Sequence, residues 1–356
     1  MIVFFPAGTR DERPSSHLRV YEVHEELEAR GFRCLVVDPY CREDAKRCFL
    51  DEAPDGSVFY IQKMDQKQLK PTHFDEHIDR CTIIYDVDDH DVSEEHRKMV
   101  EMADAVIAGS TFVLEDVRLR NGNCCLIHSM TDTDIYAFVD RRRKHPDAPV
   151  RLAWAEHWAN AYFDDFAEVA PALRRLHEQH GVELLMQGLR ADDHPDLESR
   201  PAFLGMADKF LREVPFAEID YVMPVEEYIR KGVPRLQACD IGIVPFHTNR
   251  VGKAAQNLRS YMSMGLTCVA SVGNDHDYVI EDGVTGFLAK RSGNYAETWF
   301  GLLEAIVRDR EKRLAAGERA SQSVQSRFGR SVTVDKVVAL LESLGERSEE
   351  VGEHGH

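Results

Sequence analysis

Residues 241–271 read IGIVPFHTNRVGKAAQNLRSYMSMGLTCVAS. The apolar run 241–246 predicts a strand. It leads into a polar loop, 247–252, and Leu258, Tyr261 and Met262 then recur at helical spacing over 253–264. Gly265 stands where a helix C-terminal cap would, and 267–271 reads as a second buried strand. Strand, loop, helix and strand together make a parallel α/β unit, and such units bind ligands beyond the C-terminal ends of their strands. The loop carries Arg250 and Lys253 with Gly252 between them. This reading puts Lys253 at a helix start, where free N–H groups and the helix dipole favour an anion. Two cations, a glycine and a helix start suit a phosphate, and solvated surface charges are the alternative for the same residues.

The rest of the chain continues the pattern. Apolar runs at 2–5, 32–38, 57–62, 80–85, 103–110 and 124–128 alternate with helical segments, as in a parallel sheet covered on both faces. Ser15 or Ser16 is the expected N-cap of the first helix, which ends before Gly31. The stretch 129–150 turns polar and reads as a linker, with the basic run 141–144 as its solvated charge. Strands follow at 150–155, 182–188 and 220–224, a helix at about 163–179, surface helices at 294–308 and 310–327, and an amphipathic helix at 332–344 before a polar tail.

At 356 residues the chain is long enough for two domains. The expected division is 1–145, 146–330, a final helix 331–346 and a tail 347–356. The net charge of −18 disfavours nucleic acid and anionic membranes as partners. No apolar run approaches the ~20 residues of a membrane span, and the start of the chain is not signal-like, which sets the expectation of a cytoplasmic protein. The eight cysteines form no Cys-x-x-Cys pair, so a zinc site is not expected. Composition sets no oligomeric state.

The run Arg250-x-Gly-Lys-x6-Ser-Tyr-Met-x-x-Gly-Leu-x-x-Val-Ala-Ser271, followed by DGVTGFL at 282–288, resembles the C-terminal domain of retaining GT-B glycosyltransferases of the group 1, family 4-like type. The resemblance implies an α/β GT-B fold, two Rossmann-like domains facing each other across a cleft. It also implies transfer of a sugar, of the hexosyltransferase kind (EC 2.4), from a nucleoside-diphosphate donor to an acceptor hydroxyl. Retention and independence of metal and of any further cofactor belong to the same expectation. The partners it implies are the nucleotide sugar and a carbohydrate or small-molecule acceptor.

Residue roles follow from the same resemblance. Arg250 and Lys253 would stabilise the leaving diphosphate. His157 stands in the turn after Trp154, where relatives carry a glycine-rich turn; it reads as a proton-transfer or phosphate group, or as a structural histidine. Gly188, Arg190, Met223, Val225, Tyr228, Gly252, Asn257 and Ser260 would line the donor. Tyr228 there stacks on the base or packs in the core. Gly8, Ser16, Arg19, Asp86, Asp88 and Glu156 would face the acceptor, with Arg19 as an anion or acceptor contact or a helix-surface arginine. The acidic cluster Asp86, Asp88, Asp89 and Asp91 also admits a divalent cation, but relatives carry the same Tyr-Asp-x-Asp-Asp without a catalytic metal.

Besides Thr267-Cys268 in place of the usual Leu/Ile-Pro, the chain departs from that pattern at three places that bear on activity. Asn257 stands where many relatives have a second lysine, Ser260 where they have a ribose-holding glutamate, and no Arg/Lys pair follows Trp154. These departures feed an alternative: a non-catalytic GT-B protein that binds a nucleotide sugar or a partner without turnover.

Overall fold

The computed structural model describes residues 1–11, 13–63, 70–88, 93–156, 159–191, 202, 204–246 and 252–353. The chain divides into two compact units. The first comprises Met1–Met130, Gly252–Ala254 and Arg327–His356; the second comprises Thr131–Val251 and Ala255–Ser326.

The first unit is built on a parallel sheet of β1 (Ile2–Phe5), β2 (Cys34–Val36), β3 (Val58–Gln62), β4 (Thr82–Val87), β5 (Ala105–Ala108) and β6 (Cys124–Leu126), ordered β2-β1-β3-β4-β5-β6. Successive side chains serve opposite faces. Phe5, Phe59, Ile83 and Tyr85 pack in one core, and Phe4, Tyr60 and Ile84 in the other. Both faces are therefore apolar, which is why these strands read as continuous apolar runs rather than as alternation. The helix Arg330–Glu353 completes the second face with Val334, Val337 and Leu344. It is tied to the early helix through Arg330–Glu22 and Arg30–Asp335, both at 2.6 Å. It runs well past 344, so residues 347–353 of the expected polar tail are helical.

The early helix corrects the expected cap. It starts at Pro14 with Arg13 as N-cap, because the fixed proline φ suits a first helical turn. Ser16 lies inside the helix and is fully buried. A π-helical turn, His17–Tyr21, then leads into Glu22–Ala29.

The second unit repeats the scheme with β7 (Arg151–Ala155), β8 (Glu183–Leu189), β9 (Ala217–Tyr221), β10 (Ile241–Val244), β11 (Thr267–Ser271) and β12 (Phe287–Ala289), ordered β12-β11-β10-β7-β8-β9 and parallel throughout. Trp154, Leu184, Met186, Ile243 and Val269 build its core with Trp299, Leu303 and Ile306 of the helix Tyr295–Arg308. That helix is thus amphipathic rather than a plain surface helix.

Local corrections follow from proline and glycine. The expected helix 163–179 is two, Phe163–Ala167 and Ala170–His180, with Pro171 in the first turn of the second, where its missing N–H costs nothing. The strand expected at 220–224 ends at Tyr221, and Pro224 caps the next helical turn. The helix expected from Lys253 spans Gln256–Ser263, because Gly252 has φ +92° and Ala255 is non-helical. Lys253 therefore precedes the helix, and the anion argument from a helix start does not apply to it.

The basic linker run is solvated only in part: Arg142 and Arg143 are exposed, whereas Arg141 and Lys144 are held by the second unit. Arg141 is buried and donates to the carbonyls of Cys239, Met264, Val139 and Gln237 at 2.5, 2.6, 3.1 and 3.0 Å. Two of those carbonyls sit at helix C-termini, where carbonyls lack helical partners and the dipole attracts a cation. Burial pulls the Arg141 guanidinium down to about 10, against the pull of Asp240. Lys144 pairs with Asp240 at 2.5 Å.

Candidate functional site

In the first unit the polar residues gather at the C-terminal ends of β1, β3 and β4. Gln62 closes β3 and is cross-strand from Asp86. Its Oε1 accepts from Ala7 N at 3.0 Å and Ser16 Oγ at 2.8 Å. Asp86 is completely buried; Arg19 Nε reaches its Oδ1 at 2.8 Å, and a second guanidinium nitrogen bonds the same atom. Tyr60 donates to Asp86 Oδ2 at 2.5 Å. Arg19 also donates to Ile127 O at 3.1 Å and Ser129 Oγ at 3.2 Å. Burial pushes the Asp86 carboxyl up, against Arg19 and Tyr60. The Asp86 oxygens and the Arg19 fork thus face each other, and this pair joins β4, the π turn and the end of β6. Both side chains are buried.

Asp88 is different. Its carboxylate lies 3.0 Å from Lys63 Nζ. Burial pushes Asp88 up, but Lys63 and Arg19 outweigh burial and hold it below the usual carboxylate range. Gly8 lies in the loop after β1, with the Arg13 side chain laid against it. Asp89 and Asp91 of the acidic cluster lie outside the described residues. Among the described residues, no three His, Cys, Asp or Glu side chains stand where they could hold a metal ion.

In the second unit the strand ends bring together another set. Gly188, at a bulge between β8 and β9, has φ +89°, and a Cβ there would lie 1.6 Å from Glu156 O. Only glycine lets these two chain segments meet. Arg190 follows, 8% exposed. Asn257 Nδ2 donates to Ala155 O at 3.0 Å, and Ala155 N donates to Tyr261 Oη at 2.5 Å. The Ser260 hydroxyl donates to Gln256 O at 3.1 Å, and Tyr136, Tyr228 and Ser260 hydrogen-bond through their hydroxyls. Tyr228 opens a second π-helical turn, Tyr228–Gly232. Met223 is half-buried and Val225 is exposed.

Past β11 the chain runs through Gly273, Asn274 and Asp275 with φ of +109°, +52° and +64°. Two of the three are not glycine, a strained arrangement of the kind found at ligand sites. His276 follows, buried, with Nδ1 2.8 Å from Ser271 O.

The structure therefore brings Tyr228 and Ser260 together, and separately Gly188 with Glu156. Gly252 and Lys253 belong to the first unit. Arg250 and His157 lie outside the described residues. Sequence reasoning missed Tyr136, an aromatic in a polar linker, and Gln62, whose signal was an amide ending the apolar run VFYIQ.

No protein-family model matches the chain, and no curated protein matches it in sequence. Solved structures do match over nearly full length. A glycosyltransferase from Rickettsia africae aligns at TM-score 0.69 and 12% identity, covering 96% of this chain and 97% of that one. The sucrose-phosphate synthase of Thermosynechococcus elongatus aligns at 0.69 and 13%, covering 97% and 99%. HepE of Anabaena, solved with UDP and glucose, aligns at 0.68 and 14%, covering 96% and 99%. The chain has the GT-B fold. At such identities the likeness is one of fold. The two parallel six-stranded sheets of this GT-B chain correspond to its two Rossmann-like domains, and among the described residues no helix is long and apolar enough to cross a membrane.

Proposed function

We propose that the chain is a glycosyltransferase of the hexosyltransferase kind, moving a sugar from a nucleoside-diphosphate donor to an acceptor hydroxyl. The observation that carries this reading is the full-length match in fold to glycosyltransferases, one of them solved with UDP and glucose. The donor is assigned to the second unit's strand ends, around Gly188, Arg190, Tyr228 and Ser260. The acceptor is assigned to the first unit's, around Gly8, Asp88 and the loop after β1. Lys253 and Arg250 supply positive charge to the departing diphosphate; stabilisation of developing charge is usually the largest catalytic term. Retention, independence of metal and of any further cofactor, and a cytoplasmic location complete the proposal. The domain assignment is 1–145 for the acceptor and 146–330 for the donor, followed by the final helix, which spans Arg330–Glu353.

A second reading is favoured by two hydrogen bonds. Asn257 is tied to Ala155 O and Ser260 to Gln256 O, at the two positions where the resemblance expects lysine and glutamate. A GT-B protein that binds a nucleotide sugar without turnover would tolerate this.

Thermal unfolding against a panel of nucleotides and nucleotide sugars, with and without EDTA, tests the proposal. A ligand at one hundred times its Kd adds ~2.7 kcal/mol. The expected result is an EDTA-insensitive shift with one nucleoside diphosphate, lost in Lys253→Ala, together with slow donor hydrolysis. Binding without hydrolysis or transfer would favour the second reading, and no shift with any nucleotide would overturn both.

A further inference from the structure

Asn121-Gly122 is the one Asn-Gly pair in the chain. Such a pair is chemically labile. The backbone nitrogen of the glycine attacks Cγ of the asparagine, so that an N–Cγ bond forms, the Cγ–Nδ2 bond breaks and ammonia leaves with the backbone amide proton. Water then opens the cyclic imide at either carbonyl, giving aspartate or isoaspartate. Glycine favours the attack because it has no side chain to hinder its nitrogen.

The fold holds this asparagine back from that reaction. Asn121 is only 9% exposed. Its Nδ2 donates to Val100 O at 2.8 Å and Ala103 O at 2.7 Å, and its Oδ1 accepts from Asn123 N at 2.8 Å. Two carbonyls on one side and an N–H on the other fix which end of the amide is nitrogen. Both amide hydrogens and the oxygen are thus engaged, and Cγ swings onto Gly122 N only by giving up these bonds. Gly122 adds no protection of its own: it is exposed, and a Cβ there would meet nothing within 4 Å. The grip on the Asn121 side chain is what restrains the pair.

The same grip has a structural task. Val100 and Ala103 lie at the end of the helix Glu94–Met102, whose last carbonyls lack helical partners. Asn121 N donates to Val117 O at 2.9 Å, at the end of the helix Thr111–Arg118. Asn121 therefore ties two helix ends of the first unit together. An aspartate in its place sets a buried anion against the negative end of a helix. An isoaspartate lengthens the backbone at the junction as well.

We propose that Asn121-Gly122 is a spontaneous modification site gated by folding. The native first unit keeps Asn121 unreactive, unfolding releases it to deamidate, and the product rebuilds the junction poorly. A long stay in the unfolded state is thereby made one-way, since the unfolded chain is chemically altered.

Peptide mass spectrometry of the full chain, aged in mildly alkaline buffer with and without guanidinium chloride, tests this. A peptide of residues 116–123 supplies the rate of the unrestrained pair. The expected result is conversion at Asn121 about tenfold or more slower in the folded chain than in the unfolded chain or the peptide. Gly122→Ala, which leaves the Asn121 bonds alone, should slow conversion of the unfolded chain. Asn121→Asp mimics one product and should lower the folding constant about tenfold or more at neutral pH. The folded state then binds the carboxyl proton more readily than the unfolded one, so this deficit should shrink toward about pH 4, where protonation restores one of the two lost donors. Conversion of the folded chain at the peptide's rate overturns the gate. An Asn121→Asp chain as stable as the wild type, or a deficit that pH does not change, overturns the account of the product. A variant that does not fold at neutral pH supports that account, and the rates measured on the native chain still decide the gate.

Discussion

The Arg19 guanidinium lies on the Asp86 carboxylate, with Nε at 2.8 Å, where both side chains are almost wholly buried. Removing one member leaves a buried charge without its partner, which costs about 3–5 kcal/mol. Arg19→Met and Asp86→Leu should each destabilise the first unit by that much in denaturant unfolding. The double variant should recover a large part, because both charges leave together. Additive losses in the double variant would mean that the pair is not coupled.

Gly188→Ala should be the most damaging single-methyl change at the second unit's strand ends. The new Cβ would occupy the place of Glu156 O, at a φ that alanine disfavours. Strain of this kind costs ~1–3 kcal/mol. Urea unfolding should show a lowered midpoint, and nucleotide binding should weaken because Glu156 is displaced.

Arg141→Met tests whether the linker arginine is structural. It would leave the carbonyls of Cys239, Met264 and Gln237 without this donor. A loss of about 3 kcal/mol is expected, whereas exposed Arg143→Met should change stability by less than about 0.5 kcal/mol. Equal effects in the two variants would return the run to solvated surface charge.

His276 should make stability pH-dependent. Burial lowers its proton affinity from the ordinary value of 6.5, against its bond to Ser271 O and the charges of Asp277, Asp275 and Glu156. The unfolded chain then binds the proton more readily than the folded one. Stability is full above about 6.5 and falls as pH drops below it, by at most ~1.4 kcal/mol per pH unit. His276→Gln should flatten that part of the profile in unfolding measured from pH 5 to 8. An unchanged slope would show that the ring titrates alike in both states.

The apolar runs carried the strands: 2–5 and 267–271 are strands over those same residues, and 57–62 and 124–128 differ from the observed strands by a residue or two at the ends. Short buried parallel strands are legible because both faces need apolar side chains. The errors fall where one local signal competed with another. Pro14 outranked Ser15 and Ser16 as the start of the first helix. Gly252 delayed the helix that Leu258, Tyr261 and Met262 announced.

The sequence by itself determined the α/β class, the order of strands along the chain and the positions where polar residues interrupt apolar runs, since these depend on side-chain period and on proline and glycine geometry. It could not say which polar residues make their hydrogen bonds internally. Arg19, Asp86 and Arg141 read as available charges; tertiary packing made them partners of Asp86, Arg19 and four carbonyls. Gln62 read as the end of a strand; packing satisfied its oxygen and left its nitrogen over. Such pairings join residues far apart in the chain, as Arg141 is from Met264, and the cost of burying a polar group is set by those distant neighbours rather than by its own stretch of sequence.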